Sequence, residues 1–327
     1  MTTDTMKLTP VEPTSSPTEP PIAPLEFRSG IVGLVGLPNS GKSSFLNHVV
    51  IDKIAIVSPK PQTTRRRQIG LVNRPQAQIA FVDSPGLVTG EKGLFKYLHQ
   101  EAREVAEESD IVLVLIAIDT AKKEDIDQLI EFVANVKRPW CLGITKVDLE
   151  PFARRIVILE EIARQHKVPC FHLTTERKSH DQSEDVLNHL AKVMPVSPQP
   201  LYDTEILTTA TLRDLAAETV REKCLLILSD EIPYGIGTQV RQFDESRTSL
   251  TKIAIDIWVP KESHKGILIG KKGQTLKEIG SQARRDIEKL MGHQVFLELH
   301  VVVKENWQEK NIWMKDLGYV VKTTGES

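Results

Sequence analysis

The feature that most constrains this chain is the segment GLPNSGKS at residues 36–43, which fits the pattern GxxxxGK[ST]. It follows an apolar run at 31–35 and precedes a helical pattern at 42–50. The glycines allow the backbone to curl so that its N–H groups face an anion, and the start of the next helix adds positive potential. A strand, this loop and a helix in that order predict an α/β unit that binds the phosphates of a nucleotide.

Short apolar runs alternate with helical patterns from residue 31 to residue 194. Uninterrupted apolar strands separated by helices indicate a mainly parallel sheet covered on both faces, so the expected fold class is α/β. Ligands of such folds bind at the carboxyl ends of the strands, and candidate site residues should therefore follow directly after them. The predicted strands lie at 31–35, 68–72, 78–82, 111–118, 140–144 and 170–173, and the predicted helices at 42–50, 94–108, 122–136, 151–166 and 183–193.

Candidate phosphate and metal ligands follow the first and third predicted strands. Lys42 can reach the β- and γ-phosphates, and the hydroxyl of Ser43 can ligate Mg²⁺. The tetrapeptide DSPG follows the third strand. Its Asp83 can hold the metal through water, and the N–H of its Gly86 can contact a γ-phosphate. These residues predict a magnesium–nucleotide site at the carboxyl edge of the sheet.

The loop between these segments, residues 53–67, carries Thr64 and then three arginines. Thr64 can ligate Mg²⁺ only when a γ-phosphate is present, so this loop is expected to order in one nucleotide state. For Arg65, Arg66 and Arg67 two interpretations stay open, a solvated run of charge or a functional segment. Because no general base is evident, catalysis should rest on positioning and electrostatics. The expected catalytic residues are Lys42, Thr64, Asp83 and Gly86.

A candidate base-selecting segment, TKVD at 145–148, follows the fifth predicted strand. The carboxylate of Asp148 can accept two hydrogen bonds, one from guanine N1–H and one from the exocyclic amine. Adenine lacks that pair of donors, and the unsatisfied partners would disfavour ATP. The stem of Lys146 can lie over the base. The segment therefore predicts a preference for guanine nucleotides.

These four segments, in this order, resemble the translation-factor-related GTPases. The resemblance implies GTP/GDP and Mg²⁺ as ligands, with Asn39 at a position that helps to bind K⁺ in several relatives. Leu87 stands where Ras-like members carry a water-positioning glutamine, which implies slow intrinsic hydrolysis helped by K⁺ or a partner. The candidate nucleotide-binding residues are Asn39, Ser40, Gly41, Lys42, Ser43, Ser44, Thr145, Lys146, Asp148, Thr174 and Thr175. The candidate metal ligands are Ser43, Thr64 and Asp83 for Mg²⁺, the last through water, and Asn39 for K⁺.

Two segments depart from the pattern of these GTPases. The base-recognition segment begins with Thr145, where an asparagine is usual. Threonine can still donate a hydrogen bond, so affinity should fall without a change of specificity. The fifth segment, usually Ser-Ala-Lys or Ser-Ala-Glu, is represented by Thr174, Thr175 and Glu176 after the last predicted strand. Its backbone can still contact the guanine carbonyl.

A different pattern follows three closely spaced prolines, Pro195, Pro198 and Pro200, which predict a linker. The expected order is helix, strand, strand, helix, GxxG loop, helix and strand, with one added helix, and it resembles a type II KH domain. The helices are predicted at 205–228, 274–291 and near 306–317; one strand ends at 241–243 and the others lie at 253–259 and 295–303.

The GxxG sequence of this second region, GKKG, lies at a helix N-terminus within a basic stretch. The net charge of the whole chain, −2, argues against a uniformly basic surface, but residues 261–290 hold eight basic and four acidic residues. Glycines permit close approach of a backbone, and the lysines add positive potential. In KH domains this loop clamps about four nucleotides of single-stranded RNA. The expected RNA-binding residues are Gly270, Lys271, Lys272, Gly273, Lys277 and Arg284.

A GTPase domain followed by a type II KH domain, with Trp307 and Trp313 near its end, resembles the Era family of ribosome-assembly GTPases over residues 28–322. The resemblance implies binding to the 3′ end of small-subunit ribosomal RNA and a role in assembling that subunit. It also implies a cytoplasmic protein with loose peripheral association at the inner membrane, and we expect a monomer. The expected domains are a disordered Pro/Thr/Ser-rich tail at 1–27, a P-loop GTPase domain at 28–194, a linker at 195–204 and a type II KH domain at 205–322.

Two other function classes stay open. A P-loop ATP-dependent enzyme would let ATP compete with GTP, and Asp148 argues against it. An RNA-binding scaffold with a decayed nucleotide site draws support from Thr145 and the weak fifth segment, and it would show no nucleotide affinity. A membrane span is not expected, because the longest apolar run has eight residues where roughly 18 are needed. A disulfide framework is excluded by three widely spaced cysteines.

Overall fold

The computed structural model describes residues 26–322 except 89, 91, 120, 121, 150, 151, 153, 176–180 and 248. Residues 1–25 of the tail predicted at 1–27 lie outside the described residues. Glu176 of the predicted fifth segment also lies outside them.

The first sheet has the strand order β2-β3-β1-β4-β5-β6. β2 runs antiparallel to β3, and all other neighbours pair in parallel, which confirms the predicted mainly parallel sheet. Its strands are β1 (Arg28–Gly36), β2 (Gln68–Arg74), β3 (Ala77–Asp83), β4 (Ile111–Ala117), β5 (Trp140–Thr145) and β6 (Cys170–Leu173).

Helices cover both faces of this sheet, as its largely apolar central strands require. One face packs against α1 (Lys42–Val50) and α5 (Ser183–Val193). The other face packs against α2 (Gly93–Glu108), α3 (Lys123–Val136) and α4 (Arg154–His166). Every residue of β4 is buried. The parallel pairing brings the carboxyl ends of β1, β3 and β5 to one edge, where the candidate site residues follow.

The second sheet has the order β7-β8-β9 in the described residues, with β7 antiparallel and β9 parallel to β8. Along β8, every second residue from 253 to 259 is an isoleucine or a valine and lies on the inner face. This face packs against α6 and α8. The element order is helix, strand, strand, helix, loop, helix and strand, as predicted for a type II KH domain. The elements are α6 (Leu212–Ile227), β7 (Gly237–Asp244), β8 (Leu250–Val259), α7 (Glu262–Ile269), α8 (Gln274–Met291), β9 (Gln294–Val303) and α9 (Asn311–Asp316), with 3₁₀ turns at Ile232–Gly235, Lys271–Gly273 and Trp307–Glu309.

The start predicted for the helix at 205–228 is wrong, because α6 begins only at Leu212. Two features fix that start. The hydroxyl of Thr211 accepts the N–H of Asp214 at 3.1 Å and caps the helix. The carbonyl of Leu207 accepts the N–H of Leu71 at 2.9 Å, so this backbone pairs with β2 and is not available to a helix.

The segment predicted as a linker is bonded to the first domain along its length. Ser29 N–H donates to the Pro195 carbonyl at 3.1 Å, and Tyr202 N–H donates to the Gln78 side chain at 2.8 Å. The side-chain amide of Asn73 donates to the Thr204 carbonyl at 2.9 Å. These bonds hold residues 195–204 against the first sheet.

A fourth cluster of apolar side chains joins the two domains. Tyr97 of α2 packs on Tyr319 near the C-terminus, with ring centroids 5.2 Å apart, and Trp307 stacks on the same tyrosine at 6.1 Å. The cluster also includes Leu94 and Leu98 of α2 and Trp258 of β8. Among the described helices, none combines the length and the apolar character that crossing a bilayer demands.

Candidate functional site

The phosphate loop lies between β1 and α1 and contains backbone that favours glycine. Gly41 has φ of 86° and caps α1. A Cβ on Gly86 would lie 2.7 Å from the backbone nitrogen of Pro38, so the loop after β3 touches the phosphate loop directly. The resulting cavity of about 360 Å³ is lined by Asn39, Ser40, Gly41, Lys42, Ser43, Ser44, Thr64 and Gly86 among others.

Lys42 lies inside this loop and is only 5% exposed. Its ammonium group donates to the carbonyls of Gly36 and Leu37, at 3.2 and 3.0 Å, and to the Ser40 hydroxyl at 3.3 Å. Burial lowers the pKa of Lys42 to about 8, against the opposing effect of the Asp83 carboxylate. A buried cation whose hydrogen-bond acceptors are all uncharged is suited to bind an anion that enters the loop.

Three oxygen-bearing side chains meet beside the phosphate loop. The Ser43 hydroxyl lies 2.7 Å from the Thr64 hydroxyl and donates to Asp83 Oδ2 at 2.5 Å. Thr64 lies 3.3 Å from the same carboxylate oxygen. The structure thus brings together the three predicted magnesium ligands, although they come from α1, from the loop at 53–67 and from β3.

The chemistry of this group fits Mg²⁺. Asp83 Oδ1 is buried and has no hydrogen-bond partner among the described residues. Burial raises the pKa of Asp83 to about 6, while Lys42 and the Ser43 and Thr64 hydroxyls oppose that rise. A hard cation would supply the missing partner, and Mg²⁺ is typically held by one or two carboxylates together with phosphates. In the described part of the chain, no cluster of three His, Cys, Asp or Glu side chains offers a separate all-protein metal site.

The two neighbouring threonines of the loop have different partners. The Thr63 hydroxyl donates to the Lys60 carbonyl at 2.7 Å and lies 2.8 Å from the Ser58 hydroxyl, within its own loop. Only Thr64 faces the serine and carboxylate of the metal group. Of the two threonines, it is therefore Thr64, the one predicted from the sequence as a metal ligand, that lies beside Ser43 and Asp83.

A second cavity of about 220 Å³ continues from the phosphate loop. The Asp148 carboxylate lies there and accepts the Thr174 hydroxyl at 2.7 Å. Residues predicted from two separate segments thus share one pocket. Its lining includes Gly41, Ser44, Thr145, Lys146, Asp148, Thr174 and Thr175.

Thr145, the departure from the usual asparagine, is buried beneath these cavities. Its hydroxyl donates to the Ser40 carbonyl at 2.8 Å. Lys146 has a positive φ of 60°, and its ammonium group contacts the Asp119 carboxylate at 2.8 and 3.0 Å. Thr145 therefore joins the base-selecting segment to the phosphate loop by a hydrogen bond. An asparagine is not required at this position to make that bond.

The sequence interpretation missed Asp119, which lines the phosphate cavity. It also missed Asp181, whose carboxylate accepts the Ser183 hydroxyl at 2.7 Å and lies 3.0 Å from His48 of α1. Asp119 comes two residues after β4, so the rule that site residues follow parallel strands could have identified it. Asp181 follows no strand and gave no comparable signal.

The side chains of two other predicted residues are also placed. The amide nitrogen of Asn39 donates to the Pro59 carbonyl at 2.9 Å and so ties the phosphate loop to the loop at 53–67. Leu87 packs against the apolar cluster of the first domain, and its N–H donates to the Gly36 carbonyl at 2.9 Å. Leu87 is thus a packing residue at the position where a water-positioning glutamine would stand.

We call residues 53–67 the switch loop. The interpretation of its arginines as a solvated run is wrong for Arg65, which is 1% exposed. Arg65 donates to the carbonyls of Tyr234, at 2.8 Å, and Ile236 in the second domain. Arg67 bonds to three carboxylates along α2, those of Glu101, Glu104 and Glu108, at 2.8 to 3.0 Å. The switch loop is therefore attached both to the second domain and to α2.

The GKKG loop of the second domain joins α7 to α8. Gly270, Lys272 and Gly273 all have positive φ, at 74°, 53° and 76°. A Cβ at Gly273 would meet nothing within 4 Å, so this position faces open space. The predicted basic residues Lys271, Lys272, Lys277 and Arg284 are all exposed. The loop and the first turns of α8 therefore present positive charge around backbone that a ligand can approach.

Comparison with known proteins matches both halves of the chain. A family described as 50S ribosome-binding GTPase matches residues 31–146, and the KH domain family matches residues 231–308. GTPase Era of Geotalea uraniireducens (strain Rf4) is 39% identical over 296 residues, covering 90% of this chain and 98% of that protein. GTPase Era of Geobacter metallireducens is 40% identical over the same length.

Two solved structures cover 90% of the chain at 31% identity. One is Aquifex aeolicus Era, a point variant bound to GDP and AlF₄⁻, with a TM-score of 0.84 over all of that chain. The other is Era in complex with MgGDPNP and nucleotides 1506–1542 of 16S ribosomal RNA, with a TM-score of 0.83 over 99% of that chain. These matches confirm the predicted fold class, a P-loop GTPase domain followed by a KH domain.

Proposed function

The chain belongs to the Era family of GTPases, and we propose that it binds and hydrolyses GTP, binds the 3′ end of 16S ribosomal RNA and assists assembly of the small ribosomal subunit. The observation that carries this proposal is the meeting of Ser43, Thr64 and Asp83 beside the buried Lys42. That arrangement supplies oxygen ligands for a metal and a cation for phosphates at one edge of the sheet.

In this site the protein acts by positioning and by charge. Bound Mg²⁺ would supply positive charge to the β- and γ-phosphate oxygens as negative charge shifts during hydrolysis. Ser43 and Thr64 present hydroxyl oxygens to the metal position, and Asp83 presents its carboxylate. Lys42 exchanges its bonds to loop carbonyls for bonds to phosphate. The N–H of Gly86, held against the phosphate loop, is the proposed contact for the γ-phosphate.

Guanine selection is assigned to Asp148. The Thr174 hydroxyl bonds to Asp148 Oδ1 and orients the carboxylate at the second cavity. Its remaining acceptor capacity suits the two N–H donors on the Watson–Crick edge of guanine. Thr175 lines the same cavity and can present backbone to the guanine carbonyl.

Slow intrinsic hydrolysis follows from the side chain at position 87. Leu87 packs into the first domain and cannot orient a water molecule, so the rate should depend on K⁺ or on a partner. Asn39 is the proposed K⁺ ligand. Its amide nitrogen bonds to Pro59, so its side-chain oxygen is the atom assigned to the ion.

The second domain is assigned to RNA. Gly270 and Gly273 allow the sugar–phosphate backbone to approach, and Lys271, Lys272 and the α8 residues Lys277 and Arg284 supply positive charge. The support for this assignment is the exposure of all four basic side chains around a loop with positive φ. The small-subunit RNA partner is that of the matched Era complex.

Coupling between the two sites is assigned to the switch loop and α2. In the GTP state Thr64 is held at the metal position, and the same loop buries Arg65 against carbonyls of the KH domain. The helix α2, which follows Gly86, packs on Tyr319. A γ-phosphate can thus bias the orientation of the KH domain through two attachments, and the GTP state is proposed to expose the RNA groove.

We further place the protein in the cytoplasm as a monomer that associates loosely with the inner face of the membrane. The family resemblance supports this placement. Cell fractionation at low and high salt, with light scattering of the purified protein, tests it. A protein that stays in the membrane pellet at high salt would contradict loose association. A light-scattering mass equal to that of a dimer would contradict the monomer.

The experiment that tests the main function compares turnover of GTP and ATP with Mg²⁺ present. It is run with and without K⁺ and with and without an RNA oligonucleotide from the 3′ end of 16S RNA. We expect the protein to hydrolyse GTP and not ATP, and we expect K⁺ or RNA to increase the rate of GTP hydrolysis. Competition by ATP would favour a P-loop ATP enzyme, and the absence of any nucleotide binding would favour an RNA-binding scaffold.

A further inference from the structure

Helix α6 of the KH domain turns a row of charged side chains toward the switch loop. Arg221 is fully buried there. Its guanidinium donates to the backbone carbonyl of Thr63 and to the carboxylate of Glu218, one turn earlier on α6; its Nε lies 3.1 Å from that carboxylate. The carbonyl of Thr63 belongs to the first domain, so a KH-domain side chain holds the backbone of the switch loop.

The next residue of α6, Glu222, holds the other end of the same loop. Its carboxylate accepts the N–H of Val57 at 3.1 Å and the Lys53 ammonium at 2.6 Å, and it is 3% exposed. Between these two attachments, the Lys60 ammonium donates to the Leu228 carbonyl at the end of α6. The switch loop is thus fixed to α6 and its C-terminus at Val57, Lys60 and Thr63.

The attachment at Thr63 lies next to the metal group. Thr64 is the following residue, and its hydroxyl is 2.7 Å from the Ser43 hydroxyl. Because the Thr63 carbonyl belongs to the same peptide unit as the Thr64 nitrogen, a bond that fixes the carbonyl limits how far the Thr64 side chain can move. The Arg221 bond is present in the conformation that brings Thr64 to Ser43 and Asp83, so it stabilises that conformation against those in which the loop has moved away.

We propose that Arg221 is a positioning residue for GTP hydrolysis, which it serves from the KH domain by holding the Thr63 carbonyl and so keeping Thr64 at the magnesium site. The inference rests on the proposed function and names one residue through which the second domain acts on the first. Glu218 orients Arg221, and Glu222 and Lys60 hold the rest of the loop.

The expected effect is specific to the state that needs Thr64. Hydrogen bonds to charged groups contribute more than neutral ones. Loss of the Arg221 bond should lower kcat for GTP about tenfold, which corresponds to about 1.4 kcal/mol. The Mg²⁺ concentration for half-maximal hydrolysis should rise, because a metal ligand is held less firmly. GDP affinity should not change, since GDP has no γ-phosphate to order Thr64.

The test uses the full chain with Arg221→Met combined with Glu218→Gln, so that neither member of the buried Arg221–Glu218 pair is left charged without the other. Arg213→Met is the matched control, because Arg213 lies on the same helix and bonds to Val240 within the KH domain. RNA affinity in the GDP state, in which the switch loop is not ordered by a γ-phosphate, serves as the check that the KH domain is folded. Arg221→Lys keeps one donor for the carbonyl and should recover part of the loss.

We expect the double variant to lose about tenfold in kcat and to need more Mg²⁺. Its GDP affinity and its RNA affinity in the GDP state should be retained, and Arg213→Met should stay close to the unmodified protein. If the double variant fails to fold, Lys60→Met perturbs the attachment from the loop side and should lower kcat severalfold. Unchanged kcat and Mg²⁺ dependence in a folded double variant, or in Lys60→Met, would overturn the inference, as would an equal loss in Arg213→Met. An unmodified protein that hydrolyses no GTP would overturn the proposed function as well, so the two failures are distinguishable.

Discussion

Replacing Asp148 by asparagine should convert the nucleotide site from guanine to xanthine. The carboxylate lies in the second cavity and accepts the Thr174 hydroxyl at 2.7 Å, so an asparagine can occupy the same volume with the same neighbour. Guanine offers two N–H donors to this side chain. An asparagine can accept only one of them, and its NH₂ group then faces the other donor.

The size of the effect follows from those bonds. A hydrogen bond to a charged group contributes about 1.5–3 kcal/mol, and an unpaired buried donor adds a further cost. GTP affinity should therefore fall about 100-fold, which corresponds to about 2.7 kcal/mol. Xanthine carries a carbonyl where guanine has its amine, so the NH₂ group of the asparagine gains an acceptor and XTP should be bound more tightly than GTP.

The assay is calorimetric titration of the Asp148→Asn variant with GTP, XTP and ATP at fixed Mg²⁺. Asp185→Asn is the matched control, because Asp185 is an exposed carboxylate in the first turn of α5. The control should keep the preference for GTP. An Asp148→Asn variant that still prefers GTP to XTP would refute the assignment of Asp148 to the base.

Three further outcomes are expected. Gly86→Ala should lower the rate constant for GTP hydrolysis by about 100-fold in a single-turnover assay, because the new Cβ would lie 2.7 Å from Pro38 N and displace a proposed phosphate donor. An unchanged rate constant would contradict that contact. Burial raises the pKa of Asp83 to about 6, and Mg²⁺ needs the ionised carboxylate. In a titration across pH 4.5–7.5, the apparent Mg²⁺ affinity should therefore fall about tenfold per pH unit below pH 6. A Mg²⁺ affinity that does not change with pH would contradict the role of Asp83. The substitutions Lys271→Asp and Lys272→Asp together should reduce RNA affinity and leave GTP binding unchanged. The slope of log RNA affinity against log salt concentration, near −3 for about four phosphates, should become shallower by about 1.4. Unchanged RNA affinity would place the RNA site elsewhere.

The residues that line the two cavities could be predicted from the sequence because their motifs are local. The glycine-containing loop, the DSPG turn and the TKVD segment each follow a strand, and parallel pairing alone brings strand ends to one edge. Thr64 was predicted as a magnesium ligand, and the structure places it beside Ser43 and Asp83. Asp119 obeys the same rule but belongs to no motif, which is why it was missed.

Contacts between the domains could not be predicted in the same way. Arg221 lies in the middle of an amphipathic helix, where a charged residue predicts a solvent-facing position, and its burial depends on the switch loop that covers it. The start of α6 was wrong for a related reason. Helical spacing continued upstream of Leu212, but the backbone at Leu207 is paired with β2, and such long-range pairing leaves no mark in local periodicity.

The most direct test of the central claim, that the nucleotide state sets the RNA grip through the switch loop, is a pair of binding constants. The affinity of the full chain for an oligonucleotide from the 3′ end of 16S RNA is measured by fluorescence anisotropy with GDP and with a non-hydrolysable GTP analogue, at one salt and Mg²⁺ concentration. The account predicts at least about tenfold tighter binding with the analogue, a coupling free energy of about 1.4 kcal/mol. Equal affinities in the two states would contradict it.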